Sequence, residues 1–191
     1  MTLLKDILSF NETFVENKEF EKFATGKFPD KRVVILTCMD TRLVELVTEA
    51  MNFKNGDVKI VRNAGAMVNH PFGSIMRSLL VAVYQLQADE ILIVGHHDCG
   101  MGSLSSGAMF DAMKERGVQQ EVIDTLRHAG IDVDQWLQGF SSVEENVAHS
   151  VNMVKTHPLM VPDIPVHGLV IDPTTGKLDL VVDGYSKEAA L

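Results

Sequence analysis

Hydrophobic residues gather in short runs along the first half of the chain, and two of these runs do not alternate with polar residues. RVVILTC (32–38) and EILIVGH (90–96) are rich in β-branched residues and too short to be ordinary helices. Strands with this pattern are covered on both faces, as they are in a parallel sheet. VKIVRNA (58–64) predicts a further strand between them in the sequence.

The segments around these strands show the spacing of apolar residues that is typical of helices. Residues 2–22 predict an amphipathic helix that carries Phe10, Phe14 and Phe20. Residues 71–87 predict a helix that is apolar around most of its circumference, so it should be buried in the core or against a partner subunit. The other predicted helices cover residues 42–53, 103–116, 118–129, 132–138 and 141–156.

Two further strands, VHGLVID (166–172) and KLDLVVDGY (177–185), are joined by the turn PTTG, which predicts a hairpin. The alternation of strands and helices before it implies right-handed crossovers. We therefore expect an α/β fold with one domain over residues 1–191. Its mainly parallel central sheet should be flanked by helices, with an antiparallel edge strand from the C-terminal hairpin.

The composition and the net charge of the chain exclude several classes of partner and location. The 191 residues are 46% hydrophobic, which suffices for one well-buried core. The net charge of −9 argues against a nucleic-acid partner or an anionic membrane surface. Lys5, Asp6 and Glu12 interrupt the first apolar segment, which argues against a signal peptide, and no later run reaches transmembrane length. Two cysteines are too few for disulfide bonds to stabilise a fold of this size, so we expect the protein in a reducing compartment, the cytoplasm.

Both cysteines stand at or just after the ends of predicted strands. Cys38 ends the first strand, and Cys99 follows the third, which ends at His96. In parallel sheets, ligands bind beyond the carboxyl ends of the strands. If these two strands are neighbours, one imidazole and two thiolates converge, which is a ligand set for zinc with room for a fourth ligand. His96 fits better than His97, because only His96 has the H-x-x-C spacing to Cys99 that is typical of metal sites.

Each of these residues also has a simpler interpretation. A buried cysteine is usually a small hydrophobic residue, and H-x-x-C alone is a weak signal. Asp40 and Arg42 could form a helix N-cap and a surface salt bridge, and Asp98 could hold only a loop backbone. Gly65 and Ala66 could form a tight turn after a strand. The coincidence of both cysteines at strand ends favours the metal site.

Three segments resemble motifs of the β-class carbonic anhydrases: CMDTR (38–42), RNAGA (62–66) and GHHDCGM (95–101). The similarity is close over residues 31–102, and the short chain is most similar to the small prokaryotic branch of the family. The resemblance implies one Zn²⁺ per subunit, bound by Cys38, His96 and Cys99. It also implies reversible hydration of carbon dioxide to bicarbonate and a proton by metal-bound hydroxide, the reaction of the lyase carbonate dehydratase.

The resemblance further implies roles for residues beside the metal. Asp40 and Arg42 would form a catalytic pair, in which Asp40 orients the hydroxide and Arg42 keeps Asp40 off the zinc. Gly65 and Ala66 would leave room for the substrate to reach the metal. In some family members an aromatic pocket for bicarbonate favours a closed site, in which the aspartate binds zinc. Here Met39 rather than an aromatic residue stands beside the first cysteine, so we expect an open site near neutral pH.

Two other functions are left open by these motifs. Carbon disulfide hydrolases resemble the same family, so the zinc motifs do not separate them from carbonic anhydrases. A non-catalytic zinc or dithiol protein would use Cys38 and Cys99 without turnover. Members of the resembling family form intimate dimers. We therefore expect a homodimer or a dimer of dimers, with the N-terminal helix of residues 1–22 packing on the partner subunit.

Overall fold

A five-stranded sheet forms the centre of the computed structural model, which describes residues 2–186. Its strands lie in the order β2-β1-β3-β4-β5; the pairs β2–β1, β1–β3 and β3–β4 are parallel and β4–β5 is antiparallel. The expected single-domain α/β fold is therefore confirmed, including the antiparallel edge strand. The strands are β1 (Val33–Cys38), β2 (Val58–Asn63), β3 (Glu90–His96), β4 (Val166–Ile171) and β5 (Leu178–Val182).

The helices are α1 (Leu3–Glu16), α2 (Leu43–Ala50), α3 (Ser74–Tyr84), α4 (Ser106–Glu115), α5 (Gln120–His128), α6 (Val133–Leu137) and α7 (Val143–Lys155). Helix α2 packs on one face of the sheet, and α3 and α7 pack on the other. Successive strand residues point to opposite faces, so Val34 and Leu36 of β1 pack with α3 and α7, whereas Ile35 packs with α2. Every residue of β1 is buried, which explains why its sequence does not alternate.

The position of β1 beside β3 decides where the candidate residues meet. Thr37 of β1 pairs with Val94 of β3, so the two strands end at the same edge of the sheet. This adjacency was a condition of the predicted metal site, and the structure fulfils it. The crossover from β1 through β2 places β2 on the outer side of β1, at the other sheet edge from β5.

The N-terminal segment differs from the single helix predicted over residues 2–22. Helix α1 ends at Glu16, Lys18 adopts a left-handed conformation with φ of 56°, and a short 3₁₀ helix follows over Glu19–Phe23. A left-handed residue cannot continue an α-helix, so the chain turns there. No residue of α1 is buried in the single chain. Its exposed large apolar residues are Leu3, Leu4, Ile7, Leu8, Phe10 and Val15.

The other helix boundaries follow local signals. The predicted helix 71–87 is shorter, because it begins after Gly73 and ends at Tyr84. Its buried residues lie on one face, and Val81 and Tyr84 are exposed in the single chain, so it is not buried all round. Helices α4 to α6 form a small cluster of their own around Phe110. Among residues 2–186, none of the helices combines the length and the apolar character that crossing a lipid bilayer requires.

Candidate metal centre

Cys38, His96 and Cys99 converge at the carboxyl edge of the sheet, and we call them the Cys–His–Cys cluster. One ligand atom from each lies within 4.8 Å of the others. Both cysteines are free, and their Sγ atoms are 3.9 Å apart, much farther than a disulfide bond. Two sulfurs bound to one tetrahedral zinc, each at about 2.3 Å, would be separated by about 3.8 Å. The spacing of the thiols therefore fits a zinc ion.

The imidazole of His96 is oriented as a metal ligand needs to be. The ring is almost fully buried, and its Nδ1 lies 2.8 Å from the carbonyl oxygen of His97. A carbonyl oxygen only accepts, so Nδ1 carries the proton and donates it, which leaves Nε2 with a free lone pair. Nε2 is buried and has no hydrogen-bond partner. A buried polar atom without a partner is costly, and a metal ion would satisfy it.

His97 contributes its backbone to the site, because its carbonyl oxygen accepts the hydrogen bond from the His96 ring. The cluster itself contains His96 and not His97. The amide of His97 donates to the carbonyl oxygen of Ile171 at 3.1 Å, which fixes the end of β3 against β4. This arrangement agrees with the choice of His96 over His97 by spacing.

The two thiols of the cluster have different pKa values. Burial raises the pKa of the Cys38 thiol, but the neighbouring imidazole of His96 and the backbone amides of Gly65 and Asp40 outweigh burial and lower this pKa to about 7. Burial raises the pKa of Cys99 to about 11, and the neighbouring Cys38 sulfur adds to the rise. Cys38 is therefore the first of the two to become a thiolate, the form that binds metals.

Asp40 and Arg42 form a bidentate ion pair next to the cluster. Nε of Arg42 donates to Oδ1 of Asp40 at 3.0 Å, and Nη2 donates to Oδ2 at 2.8 Å. The side chain and then the backbone amide of Arg42 hold the pKa of Asp40 down at about 2. Oδ2 of Asp40 also lies 3.8 Å from Nε2 of His96. The carboxylate is thus within reach of a molecule held by the cluster, while Arg42 restrains it.

Asp98 takes part in this arrangement more strongly than the sequence suggested. Its Oδ2 accepts a hydrogen bond from Nη1 of Arg42 at 2.9 Å, and its carbonyl oxygen accepts from Nη2 at 2.9 Å. Asp98 has a left-handed backbone with φ of 53°, which turns this carbonyl toward Arg42. The sequence signal was an acid directly before Cys99, but its partner lies 56 residues earlier in the chain. Arg42 is therefore hydrogen-bonded both to Asp40, which follows β1, and to Asp98, which follows β3.

The loop after β2 places backbone rather than side chains against the cluster. The amide of Gly65 donates to Sγ of Cys38 at 3.3 Å, and Gly65 has a φ of +78°. A Cβ atom at Gly65 would lie 3.0 Å from Sδ of Met67 and 3.1 Å from Cγ of Met101. The left-handed conformation favours glycine here, and an added Cβ would also require the two methionine side chains to shift. Ala66, which follows, is fully buried and also left-handed.

Arg62 is another residue whose contacts were not foreseen, although it lies within a quoted motif. Its Nη1 donates to the carbonyl oxygen of Cys38 at 3.2 Å, and its Nη2 donates to that of Leu43 at 3.0 Å. The side chain therefore ties the end of β1 to the start of α2. This guanidinium supports the backbone on which both Cys38 and Asp40 stand.

A cavity of about 600 Å³ lies near the cluster, with a mainly apolar lining that also includes Asn63, Asn69, His70 and Ser74. Met39, Ala64, Met67 and Met101 line it on the cluster side. Other lining residues, farther along the loops and helices, include Ile75, Leu104, Met109, Trp136 and Leu137. Ala64 precedes Gly65, whose amide contacts Cys38, but none of the three cluster residues lines the cavity itself.

Comparisons with known proteins agree with this geometry. The sequence model of the carbonic anhydrase family matches residues 33–178, a range that contains the whole cluster. The chain is 60% identical over 186 residues to "Putative carbonic anhydrase YtiB" of Bacillus subtilis (strain 168), covering 97% of this chain and 100% of that protein. Carbon disulfide hydrolase of Acidithiobacillus thiooxidans is 27% identical over 159 residues, covering 78% of this chain and 76% of that protein. The crystal structure of β-carbonic anhydrase isoform I of Trichomonas vaginalis has a TM-score of 0.88 and 35% identity, and the match covers 97% of this chain and 100% of that chain.

Proposed function

Because this chain belongs to the β-class carbonic anhydrases, we propose that it is a zinc enzyme that reversibly hydrates carbon dioxide to bicarbonate and a proton. The observation that carries this proposal is the buried, unpartnered Nε2 of His96 beside two thiols 3.9 Å apart. One nitrogen and two sulfurs form a three-ligand set that leaves a fourth tetrahedral position open, as in catalytic zinc sites.

Cys38, His96 and Cys99 would hold the zinc ion, one per subunit. Zinc would lower the pKa of a water molecule so that hydroxide is available near neutral pH. Both thiols must stay reduced to serve as ligands, which fits a reducing compartment such as the cytoplasm. Because thiols release protons when they bind a metal, zinc affinity should increase with pH.

The residues around the cluster would position the nucleophile and the substrate. Asp40 Oδ2 would accept a hydrogen bond from the nucleophile and so direct a lone pair toward the substrate carbon. Arg42 would keep this carboxylate from becoming a zinc ligand itself. Gly65 and Ala66 would keep the substrate position free of side chains, and the cavity near the cluster would admit carbon dioxide.

The direct test is stopped-flow hydration of carbon dioxide by protein whose zinc content has been measured. The initial rate should scale with bound zinc and should return when zinc is restored to chelator-treated protein. A fully zinc-loaded protein that hydrates carbon dioxide no faster than buffer would contradict the proposal.

Carbon disulfide hydrolysis is the second candidate function. It is favoured by one observation, the methionine-rich wall of the cavity beside the cluster, since an apolar path also suits a linear sulfur-containing molecule. The same zinc-loaded preparation should be assayed for hydrogen sulfide released from carbon disulfide. Sulfide release in the absence of carbon dioxide hydration would favour this second function over the first.

The pH dependence of hydration should show one inflection between about pH 6 and 9, from the ionisation of the nucleophile. Arg42 holds the pKa of Asp40 at about 2, below the ordinary value of a carboxyl group. A carboxylate with a lowered pKa stays ionised until the pH falls through that value, so Asp40 contributes no inflection in this range. Initial rates measured across the range should fit a single titration curve. A steep cooperative loss of activity below neutral pH would show that Asp40 leaves Arg42 and the site closes.

The assembly that we propose is a homodimer or a dimer of dimers. Helix α1 projects apolar side chains and buries none of them in its own chain. A second copy of the chain is the partner that would cover these side chains, with α1 packing across the subunit boundary.

Charge placed on the apolar face of α1 should weaken this assembly. Ile7→Asp and Phe10→Asp would each remove a large apolar side chain from the interface, which should raise the dimer dissociation constant by about tenfold or more. Ser9→Asp, which adds the same charge at a polar position of the helix, is the matched control and should leave assembly unchanged. Light scattering over a concentration series measures the effect, and a wild-type monomer at micromolar concentration would rule out the assembly.

A further inference from the structure

Two buried side chains of helix α7 hold the loop that follows β2. Nδ2 of Asn146 donates to the carbonyl oxygen of Gly65 at 3.0 Å, and Oγ of Ser150 accepts from the amide of Val68 at 3.0 Å. Asn146 and Ser150 are one helical turn apart, so they face the same loop. The loop includes Ala66 in a left-handed conformation, which an alanine adopts only when its surroundings hold it there.

Helix α7 is a rigid support for this contact, because it lies directly on the backbone of two central strands. A Cβ atom at Gly95 would lie 2.8 Å from methyl groups of both Val143 and Val147. A Cβ atom at Gly168 would lie 2.7 Å from Val147. The two glycines let the helix approach β3 and β4 closely, and Gly95 directly precedes the cluster residue His96.

The contact made by Asn146 continues to the Cys–His–Cys cluster through one residue. Asn146 fixes the carbonyl oxygen of Gly65, and the amide of the same Gly65 donates to Sγ of Cys38 at 3.3 Å. Gly65 has a wide choice of conformations, so a bond that holds its carbonyl oxygen also restricts the direction of its amide. Asn146 is 7% exposed, and its bond to Gly65 is buried, so water does not compete for it.

We propose that Asn146 is a positioning residue of the metal centre. By holding Gly65, it aims an amide N–H at the Cys38 sulfur, and so sets the direction of that sulfur and the electron density that it gives to a metal. Partners outside the ligand set commonly tune a metal in this way, and their loss costs about 10–100-fold in metal affinity or activity. This inference rests on the proposed zinc function, but its test uses metal binding and needs no substrate.

The test compares Asn146→Ala with the wild-type protein. The zinc dissociation constant, measured by competition with the chelator 4-(2-pyridylazo)resorcinol, should be about 10–100-fold higher in the variant. After replacement of zinc by cobalt, the thiolate-to-cobalt absorption band should shift, because the sulfur has lost its amide donor. Asn152→Ala is the matched control, since Asn152 is an exposed asparagine of the same helix, and it should change neither reading.

The outcomes separate a positioning role from a purely structural one. A zinc dissociation constant within about twofold of the wild type, or a lower Tm of the metal-free protein with an unshifted cobalt band, would overturn the proposal. If Asn146→Ala does not fold, Asn146→Ser, whose hydroxyl is too short to replace the amide, is judged by the same criteria. Failure of the proposed function would appear in the wild-type protein alone, whereas failure of this inference appears only in the comparison with the variant.

Discussion

Replacing Cys38 or Cys99 by serine should remove both zinc and carbon dioxide hydration. The serine hydroxyl does not ionise near neutral pH, so it is a poor ligand, and two remaining protein ligands do not form a stable zinc site. The loss of affinity should exceed the roughly 10–100-fold that loss of an outer hydrogen-bond partner costs. Metal analysis of the purified variants and stopped-flow hydration measure the two effects on the same samples.

The adjacent histidines provide the matched control for this prediction. His96→Ala should lose zinc as the cysteine variants do, because Nε2 of His96 belongs to the cluster. His97→Ala should keep zinc, since the contacts of His97 that support the cluster come from its backbone carbonyl and amide. If His97→Ala strips the metal and His96→Ala does not, the ligand assignment is wrong.

Arg42→Ala should keep zinc and lose turnover, which is the second large effect that we expect. Arg42 makes two side-chain hydrogen bonds to Asp40, whose Oδ2 is already 3.8 Å from Nε2 of His96. Without the guanidinium, the carboxylate is free to move onto the open zinc position. Hydration should then fall by about 100-fold or more, the lower end of what a positioned proton acceptor contributes.

Arg127→Ala is the control for the Arg42 variant. Arg127 forms a similar bidentate pair with Asp134, with N–O distances of 2.8 Å, on the exposed surface of α5 and α6. Exposed pairs of this kind contribute little, so this variant should retain full zinc content and activity.

A structure of zinc-loaded Arg42→Ala should show an Asp40 oxygen about 2.0–2.2 Å from the metal. An active Arg42→Ala variant with Asp40 away from zinc would contradict the assigned role.

The sequence alone was enough to predict most of the fold. All six residues of strand β1 are buried, and a strand that is buried on both faces has an apolar sequence without alternation. The burial of β1 could therefore be predicted from its residue types alone. The hairpin of β4 and β5 was predicted correctly from one turn between two strand-like runs. Helix α1 was predicted too long, because the left-handed turn at Lys18 leaves no pattern in the apolar residues.

The candidate metal site was also visible in the sequence, since few residue types bind zinc and two cysteines are easily located. The partners of the supporting residues were not visible. Asp98 lies in a predicted loop, yet its side chain accepts a hydrogen bond from Arg42. Asn146 lies in a predicted helix, yet its side chain donates to Gly65, which is 81 residues away in the chain. No local pattern identifies a hydrogen-bond partner at such a separation.

The amino-acid sequence by itself determined which segments are buried, where the strands end and which side chains are able to bind a metal. Only the tertiary structure decided that β1 lies beside β3, so that Cys38 meets His96. It also decided that α7 packs close enough on β3 and β4 for Asn146 to reach Gly65. The physical reason is that burial depends on the side chain itself, whereas a polar contact depends on distances set by how the whole sheet and its helices pack together.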